Sequence, residues 1–227
     1  DDHNIQQLFK MGVWSGIDYF SSKMDQRTKW ACIEDDLGQY NLFCNDEKID
    51  QMQLQLLGKH NMMNLTAAIA VLSNFELKPK DLIVGAKKFT GVKRRLEYLG
   101  QFSEIDLFDD FAHHPTSIKA SIAAVKSTLD SSSLYAVVEL ASNTMKKGSL
   151  KSELKKSFVD VDYAWILNSG NIQWDIREEF AEIENVAILK TLVDLPDQVQ
   201  SKIKPGDSLI IMTNSDSMRI SNVLKKK

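Results

Sequence analysis

Two histidines, His113 and His114, lie after a pair of aspartates, with two residues between, and directly before Pro115, in the segment DLFDDFAHHPT. Only four histidines occur in the chain, so this pair marks a candidate site for ligand binding or catalysis. A structural alternative also exists, because proline suits the first turn of a helix and a polar residue before it caps that helix, contributing about 1 kcal/mol. A zinc site is not expected, since His3 and His60 offer no further ligands at a compatible spacing.

Amide and guanidinium groups upstream are candidates for binding a nucleotide. Asn61 and Asn64 are three residues apart at a predicted helix start, and two carboxamides on one face can hydrogen-bond the edge of an adenine ring. Asn61 could instead cap the helix. Arg94 and Arg95 lie on a predicted linker, where arginine is usually a surface charge but can also hold a phosphate through its fork of donors.

The predicted secondary structure around these residues changes near Leu96. From there on, apolar segments alternate with helical ones, and the predicted strands are EIDLFDDF, LYAVVEL, YAWILN, VAILK and SLIIMT. This alternation predicts an α/β fold with a Rossmann-like, mostly parallel sheet and helices on both faces. Ligands bind such sheets outside the carboxyl ends of the strands. Three polar segments follow strands there, namely residues 109–114, ASNTMKKG and TNSDSMR.

The first part of the chain has a different pattern. Between residues 29 and 57 three short strands, KWACIE, YNLFCN and MQLQLL, are separated by polar turns, which predicts a meander. Helical spacing follows, and a second helix is predicted from Pro79 to Phe89. We therefore predict two domains, residues 1–91 and residues 92–227.

Composition limits the partners. A formal net charge of -3 gives no field to attract nucleic acid, and the basic residues cluster only at residues 225–227. No apolar run approaches the roughly 20 residues needed to cross a bilayer, and no signal-peptide pattern occurs at the start. Cys32 and Cys44 lie in the strand-rich region and are expected to be reduced thiols in a cytoplasm. We predict a cytoplasmic protein that binds neither nucleic acid nor membrane.

Four motifs in order, GKHNMMNLTAAIA, RRLE, FDDFAHHPT and ELASNTMKKG, together resemble the Mur ligase family, the ATP-dependent enzymes that add amino acids or peptides to UDP-N-acetylmuramic acid. DDFAHHPT and SNTMK are similar to the branch that attaches L-alanyl-γ-D-glutamyl-meso-diaminopimelate in cell-wall recycling. In the branch that adds L-alanine, a Tyr-Gly pair replaces Phe111–Ala112. The alternatives are that L-alanine branch, a folate-type polyglutamate synthase, and a non-catalytic binding module derived from the family.

The resemblance implies two sets of site residues. The residues implied to contact ATP are His60, Asn61, Asn64, Arg95 and Asp110. Within this set the asparagines contact adenine, Arg95 reaches the phosphates and Asp110 holds the ribose hydroxyls. The residues assigned to the other substrates are His113, Ser142, Asn143, Thr144, Lys146, Met218 and Arg219. Arg95 and His113 are implied to be catalytic, and no metal ligand is assigned.

The resemblance also implies the reaction. The muramate carboxylate attacks the γ-phosphate of ATP and forms an acyl phosphate, and an amine then attacks that carbonyl and releases phosphate. Such chemistry needs Mg²⁺, lysine and arginine to offset charge on the transferring oxygens, and a closed site that excludes water. The implied cofactors are ATP and Mg²⁺, and the implied substrates are UDP-N-acetylmuramate and the murein tripeptide.

Two departures from the family pattern shape these expectations. The phosphate-binding loop G-x-x-G-K-[ST] is missing, because GKHN at residues 58–61 lacks the earlier glycines and the Ser or Thr. We therefore expect a fragment, inactive alone, that lacks the N-terminal domain, most of the central ATP-binding domain and the Mg²⁺ ligands. Leu140–Ala141 stands where the family has Pro-Arg. Met218 and Arg219 are expected to supply apolar and cationic contacts instead.

Overall fold

A computed structural model describes residues 3–52, 57–168 and 170–225. The chain forms two compact units that divide between Thr90 and Gly91. The predicted strand MQLQLL falls largely on residues 53–56, which lie outside the described residues. Across the three described ranges, no helix combines the length and the apolarity needed to cross a bilayer.

The first unit contains a four-stranded sheet in the order β1–β2–β3–β4. Its elements are α1 (His3–Phe9), β1 (Tyr19–Ser21), β2 (Thr28–Glu34), β3 (Tyr40–Cys44), β4 (Glu47–Met52), α2 (Lys59–Leu72), a 3₁₀ turn (Ser73–Phe75) and α3 (Pro79–Ala86). Strands β2 to β4 are antiparallel and form a meander, but its third strand is Glu47–Met52, whereas the prediction placed that strand at MQLQLL. Asn45 and Asp46, both with positive φ, form the two-residue turn between β3 and β4. Strand β1 pairs in parallel with β2, which the sequence did not predict.

The core of the first unit lies between its sheet and α2. Trp30, Cys32 and Leu42 pack against Met62 and Ile69 of that helix. Alternate strand positions share one face of a sheet, so Trp30 and Cys32 both point inward. Both cysteines are free, as predicted. Burial raises the pKa of the Cys32 thiol to about 11, so the thiol stays protonated at neutral pH.

Helix α3 begins at Pro79 as predicted, but the predicted end at Phe89 is wrong. The helix ends at Ala86, and 3₁₀-type bonds from Lys88 and Phe89 close its last turn. Phe89 is 47% exposed, so no burial of its side chain sustains another helical turn.

The second unit contains a six-stranded sheet in the order β5–β6–β10–β7–β8–β9. Its strands are β5 (Glu97–Phe102), β6 (Ile105–Asp110), β7 (Leu134–Glu139), β8 (Tyr163–Leu167), β9 (Val186–Leu189) and β10 (Ser208–Met212). Its helices are α4 (Pro115–Lys126), α5 (Asn143–Lys147), α6 (Lys151–Lys155), α7 (Ile176–Glu179), α8 (Leu195–Lys202) and α9 (Ser217–Lys225), with 3₁₀ turns at Lys156–Phe158 and Leu192–Asp194. All neighbouring strands are parallel except β5 and β6, so the predicted α/β fold with a mostly parallel sheet is confirmed.

The second sheet is buried on both faces, which explains its continuous apolar strands. Leu209 and Ile211 of β10 belong to a cluster with Leu195 of α8 and Ile220 of α9. The alternate β10 residues are buried as well, so every residue of SLIIM is inaccessible. Helix α4 contacts β7 and contributes fully buried side chains.

The antiparallel β5–β6 hairpin was not predicted. Its two-residue turn is Ser103–Glu104, and both residues have positive φ. Glycine, asparagine or aspartate usually occupies such turns, so this pair gives a weak sequence signal.

Strand β10 is inserted between β6 and β7, and this order gathers three loops at one edge. Met212 is in register with Asp110 of β6 and with Val138 of β7. Because all three strands are parallel, the segments that follow them start side by side. The polar residues singled out after β6, β7 and β10 therefore share the carboxyl edge of the second sheet.

Candidate functional site

Three buried carboxylates tie together the loops at this edge. Asp109 and Glu139 are each 2% exposed. The Ser217 hydroxyl donates to Asp109 Oδ2 at 2.6 Å, and the Thr213 hydroxyl donates to Glu139 Oε2 at 2.7 Å. A guanidinium nitrogen of Arg219 donates to the other Glu139 oxygen. Donors from the β10–α9 segment thus bind both oxygens of Glu139 and one oxygen of Asp109, and burial raises the pKa of Asp109.

Asp110, the third carboxylate, is 3% exposed and accepts two backbone hydrogen bonds. Ala112 N–H donates to Oδ1 at 2.7 Å, and Leu96 N–H donates to Oδ2 at 2.7 Å. Burial raises the pKa of Asp110, and these two bonds lower it in part. A ribose contact would have to share oxygens that already accept two bonds, and that contact stays a prediction.

Hydrogen bonds attach residues 94–96 to the same edge of the sheet, and we call this attachment the clasp. The Nη2 of Arg94 donates to the Thr213 carbonyl at 2.6 Å, and its Nε lies 3.6 Å from Asp109 Oδ2. Its own carbonyl accepts from Phe111 N–H at 2.8 Å. Arg94 and Leu96 both have positive φ, a conformation that costs about 1 kcal/mol or more for residues with a side chain. The clasp bonds hold this strained backbone.

The two residues predicted to be catalytic meet at the ring of Phe111. The exposed guanidinium of Arg95 lies 5.6 Å from the ring centroid, and the His113 ring stands edge-on to it at 5.4 Å. His113 Nδ1 lies 2.8 Å from the Phe111 carbonyl oxygen. A carbonyl only accepts, so Nδ1 carries the hydrogen and Nε2 of the neutral ring keeps its lone pair.

His114 has a different position from His113. It is the N-cap of α4, and its side chain accepts from Thr116 N–H at 3.4 Å. The Ser117 hydroxyl in turn accepts from the His114 backbone N–H. The structural alternative for the histidine pair is therefore confirmed for His114, and a catalytic role for His113 stays a prediction.

The SNTMK motif starts helix α5. Ser142 is the N-cap and accepts from Met145 N–H, while Asn143 and Thr144 are exposed. Lys146 is half-buried. The Trp174 indole N–H donates to the Met145 carbonyl at 2.9 Å and fixes the far end of the helix.

Met218 and Arg219 lie in the first turn of α9. Met218 is 49% exposed, so its side chain is available for an apolar contact. Arg219 is expected from the sequence to supply a free cation, but its guanidinium is paired with the buried Glu139. Any contact that Arg219 makes with a ligand must therefore use donors that the ion pair leaves over.

Replacing Arg219 with alanine is expected to lower the free energy of unfolding of the second unit by about 1–2 kcal/mol. The change leaves a buried carboxylate with the Thr213 hydroxyl as its remaining partner, and the estimate is reduced because the Arg219 side chain is 39% exposed. Urea unfolding should show a smaller loss for the Glu139→Gln/Arg219→Ala double variant than the sum of the single losses. The exposed Arg177→Ala variant is the control, and equal losses for Arg177→Ala and Arg219→Ala would contradict the expectation.

In the first unit the predicted nucleotide residues begin α2. The Asn61 amide nitrogen donates to the Leu57 carbonyl at 2.7 Å, but Gly58 is the N-cap and Asn61 lies inside the first turn, so the alternative that Asn61 caps the helix is wrong. Asn64 is exposed and His60 is half-buried. The spacing of three places both asparagines on one side of the helix. Their convergence with Arg95 and Asp110 on one nucleotide stays a prediction.

The sequence interpretation missed several residues that hold this edge together. Glu139 ends the apolar strand LYAVVE, and a charge in that place was an available signal. Thr213 and Ser217 gave none, because their partners lie 74 and 108 residues away along the chain. Among the described residues, no group of three or more His, Cys, Asp or Glu side chains could hold a metal ion.

A comparison with models of known protein families gives the class of protein. Residues 94–214, more than half of the 227-residue chain, match the family described as "Mur ligase, glutamate ligase domain". The chain therefore belongs to the Mur ligase family, whose members are ATP-dependent amide ligases, and the resemblance noted from its motifs is confirmed.

Particular relatives are similar over most of the chain. It is 32% identical over 216 residues to the UDP-N-acetylmuramate–L-alanyl-γ-D-glutamyl-meso-2,6-diaminoheptandioate ligase of Escherichia coli K12, covering 94% of this chain and 47% of the relative. It is 28% identical over 243 residues to the UDP-N-acetylmuramate–L-alanine ligase of Clostridium acetobutylicum, covering 100% of this chain and 52% of the relative. The chain thus spans about half the length of these curated relatives.

Solved structures agree on the fold. A murein peptide ligase from Psychrobacter arcticus is similar with a TM-score of 0.72 and 28% identity, over 98% of this chain and 49% of that one. The MurF ligase of Thermotoga maritima, solved in complex with ADP, gives a TM-score of 0.73 at 14% identity, over 100% of this chain and 52% of that one. At that identity the second comparison concerns the fold alone.

Proposed function

We propose that this chain is part of a cytoplasmic, ATP-dependent ligase that joins UDP-N-acetylmuramate to L-alanyl-γ-D-glutamyl-meso-diaminopimelate in peptidoglycan recycling. The observation that carries the proposal is the 32% identity to the Escherichia coli relative over 94% of the chain. The coverage of about half of that relative supports the view that further regions of the same polypeptide complete the enzyme.

The proposal gives the residues of this chain distinct tasks. Asn61 and Asn64 would contact the adenine of ATP, and Arg95 would reach its phosphates from the clasped segment. Arg95 suits this task because its guanidinium is exposed, whereas that of Arg94 is committed to Thr213 and Asp109. With no metal-binding group among the described residues, the proposal assigns the Mg²⁺ ligands to other regions of the polypeptide.

His113 would act next to the attacking amine. In the proposed reaction the muramate carboxylate becomes an acyl phosphate, and the amine of the tripeptide must lose a proton as it forms the amide. Because Nδ1–H is bonded to the Phe111 carbonyl, Nε2 keeps its lone pair. That nitrogen would take up the proton that the amine loses. A cation at Arg95 would offset the charge on the phosphate oxygens.

The test compares acceptor substrates with the full natural polypeptide that carries these 227 residues. It is incubated with ATP, UDP-N-acetylmuramate and either the tripeptide or L-alanine, and products are identified by mass spectrometry. We expect the tripeptide product from the full polypeptide and no product from the purified 227-residue chain. Product from the isolated chain would contradict its proposed place within a longer enzyme.

A second candidate is UDP-N-acetylmuramate–L-alanine ligase. The similarity of such a ligase from Clostridium acetobutylicum over 100% of the chain favours it. A product formed with L-alanine and not with the tripeptide would establish this candidate over the first.

The absence of an arginine at Ala141 favours a third candidate, a binding module without activity. A folded polypeptide that forms neither product would support that candidate.

A further inference from the structure

Phe111 lies at the centre of the site and is contacted from several sides. Arg94 lies 5.0 Å and Arg95 5.6 Å from its ring centroid, and the His113 ring stands at 83° to it at 5.4 Å. The backbone of the same residue accepts from His113 Nδ1 and donates to the Arg94 carbonyl. Phe111 thus contacts Arg94, Arg95, which is the candidate for binding phosphate, and His113.

We infer that Phe111 is a positioning residue that holds Arg95 and His113 in one fixed arrangement for the reaction. The catalytic part of this inference rests on the proposed function, and the geometric part stands on the contacts alone. Phe111 itself has no group that could transfer a proton or bind a phosphate. It therefore acts through its two neighbours.

The Phe111 ring contacts an exposed arginine, Arg95. The Arg95 side chain is exposed, and an unrestrained arginine adopts many rotamers. A cation is attracted to the face of an aromatic ring, and this attraction favours the rotamers that keep Arg95 over Phe111. Arg94 is held by its clasp bonds, so its contact with the ring fixes the ring in turn.

The same residue sets the form and direction of the histidine. The Phe111 carbonyl selects the tautomer with hydrogen on Nδ1, and the ring contacts the imidazole edge-on, a favoured aromatic arrangement. Catalytic groups must keep their geometry within about 1 Å, because larger displacements cost on the order of a hundredfold in rate. Because both side chains contact the same ring, the ring fixes the position of Arg95 relative to His113.

Three variants of the 227-residue chain test the geometric part. Phe111→Leu removes the aromatic face and keeps an apolar side chain, Phe111→Tyr keeps the ring, and Phe102→Leu is the matched control. Phe102 is also half-buried, and it lies at the other end of the β5–β6 hairpin. In long-range ¹H–¹⁵N NMR spectra at pH 8, we expect the Nδ1–H tautomer of His113 in wild type, Phe111→Tyr and Phe102→Leu. Phe111→Leu keeps the backbone carbonyl but removes the ring that packs against the imidazole. The imidazole should therefore turn away from that carbonyl part of the time, which gives a mixture of tautomers, and the Arg95 guanidinium should be more mobile.

The catalytic part is tested with the same substitutions in the full polypeptide. We expect Phe111→Leu to lower kcat on the order of tenfold with KM for UDP-N-acetylmuramate changed less than about twofold, whereas Phe111→Tyr and Phe102→Leu stay near wild type. A Phe111→Leu variant with the wild-type tautomer, a rigid Arg95 and unchanged kcat would overturn the inference. A wild-type polypeptide that forms no product would overturn the proposed function and with it the catalytic part, while the NMR result alone decides the geometric part. If Phe111→Leu does not fold, Phe111→Met takes its place: a mixture of His113 tautomers with a more mobile Arg95 would support the inference, and the wild-type tautomer with a rigid Arg95 would overturn it.

Discussion

Replacing Asp110 with alanine is expected to lower the free energy of unfolding of the second unit by about 3 kcal/mol. The buried carboxylate is the acceptor for the N–H groups of Leu96 and Ala112, and each donor left without a partner costs about 1–3 kcal/mol. The Leu96 bond also holds a residue with positive φ, so its loss frees the clasp. Urea-dependent hydrogen exchange of the strand amides in the second sheet measures this change for that unit alone.

Two further variants separate hydrogen bonding from the loss of a charge. Asp110→Asn keeps one acceptor oxygen, so we expect about half of the loss seen with alanine. Asp106→Ala lies on the same strand, where the carboxylate accepts from the exposed Tyr98 hydroxyl, and it should cost less than about 1 kcal/mol. If Asp110→Ala were as mild as Asp106→Ala, the two backbone bonds would not stabilise the edge.

Through the Asp110 carboxylate, the free energy of unfolding should also depend on pH, in the direction opposite to that of ordinary acid denaturation. Burial raises the pKa of Asp110 above the ordinary value of 3.8, so near pH 4 the folded chain binds more protons at this site than the unfolded chain. Where the folded state binds more protons, stability falls as pH rises, and the fall ends above the folded pKa. The stability of wild type relative to Asp110→Asn should therefore decrease as pH rises from about 4, and then become constant.

The fold of the second unit was readable because its burial leaves a pattern in the sequence. Strands covered on both faces appear as unbroken apolar runs such as SLIIM, and helices between them keep a polar side. Pro115 and Pro79 marked helix starts because a first turn has no use for the missing N–H. Local chemistry of this kind predicted the fold class, the polar segments at strand ends and the capping position beside His113.

The hydrogen-bond and ion-pair partners of the site residues could not be predicted from local sequence patterns. Arg94 and Arg95 are adjacent and identical, yet one is clasped to Thr213 and the other is exposed. The difference follows from the positive φ of Arg94 and from the position of β10 between β6 and β7. Strand order depends on contacts far apart along the chain, and no local pattern encodes it.

The pairing of Arg219 shows the same limit from the opposite direction. The sequence suggested a free cation because an arginine was missing at Ala141, and the residue type was plausible for that role. The carboxylate that engages it, Glu139, is 80 residues away. A buried charge at a strand end requires a counter-charge, so Glu139 rather than a ligand sets the position of this guanidinium.

Replacing Gly148 with alanine is expected to lower the free energy of unfolding of the second unit by about 2–3 kcal/mol. Gly148 ends α5 with φ of 75°, a conformation that costs an alanine about 1 kcal/mol. An added Cβ would also lie 2.6 Å from the Trp174 ring, which would have to move. That movement breaks the indole bond to the Met145 carbonyl, worth about 1 kcal/mol, and loosens the helix that presents Asn143 and Thr144.

Gly206 provides the matched control for backbone strain. Its φ is 90°, and a Cβ added there would meet nothing within 4 Å. Gly206→Ala should therefore cost only the conformational part, about 1 kcal/mol, in the same unfolding experiment. The excess loss in Gly148→Ala measures the contact with Trp174, and a quenching or wavelength shift of Trp174 fluorescence should accompany it. Equal losses for the two alanine variants would mean that the indole does not brace α5, because backbone strain alone would then explain both.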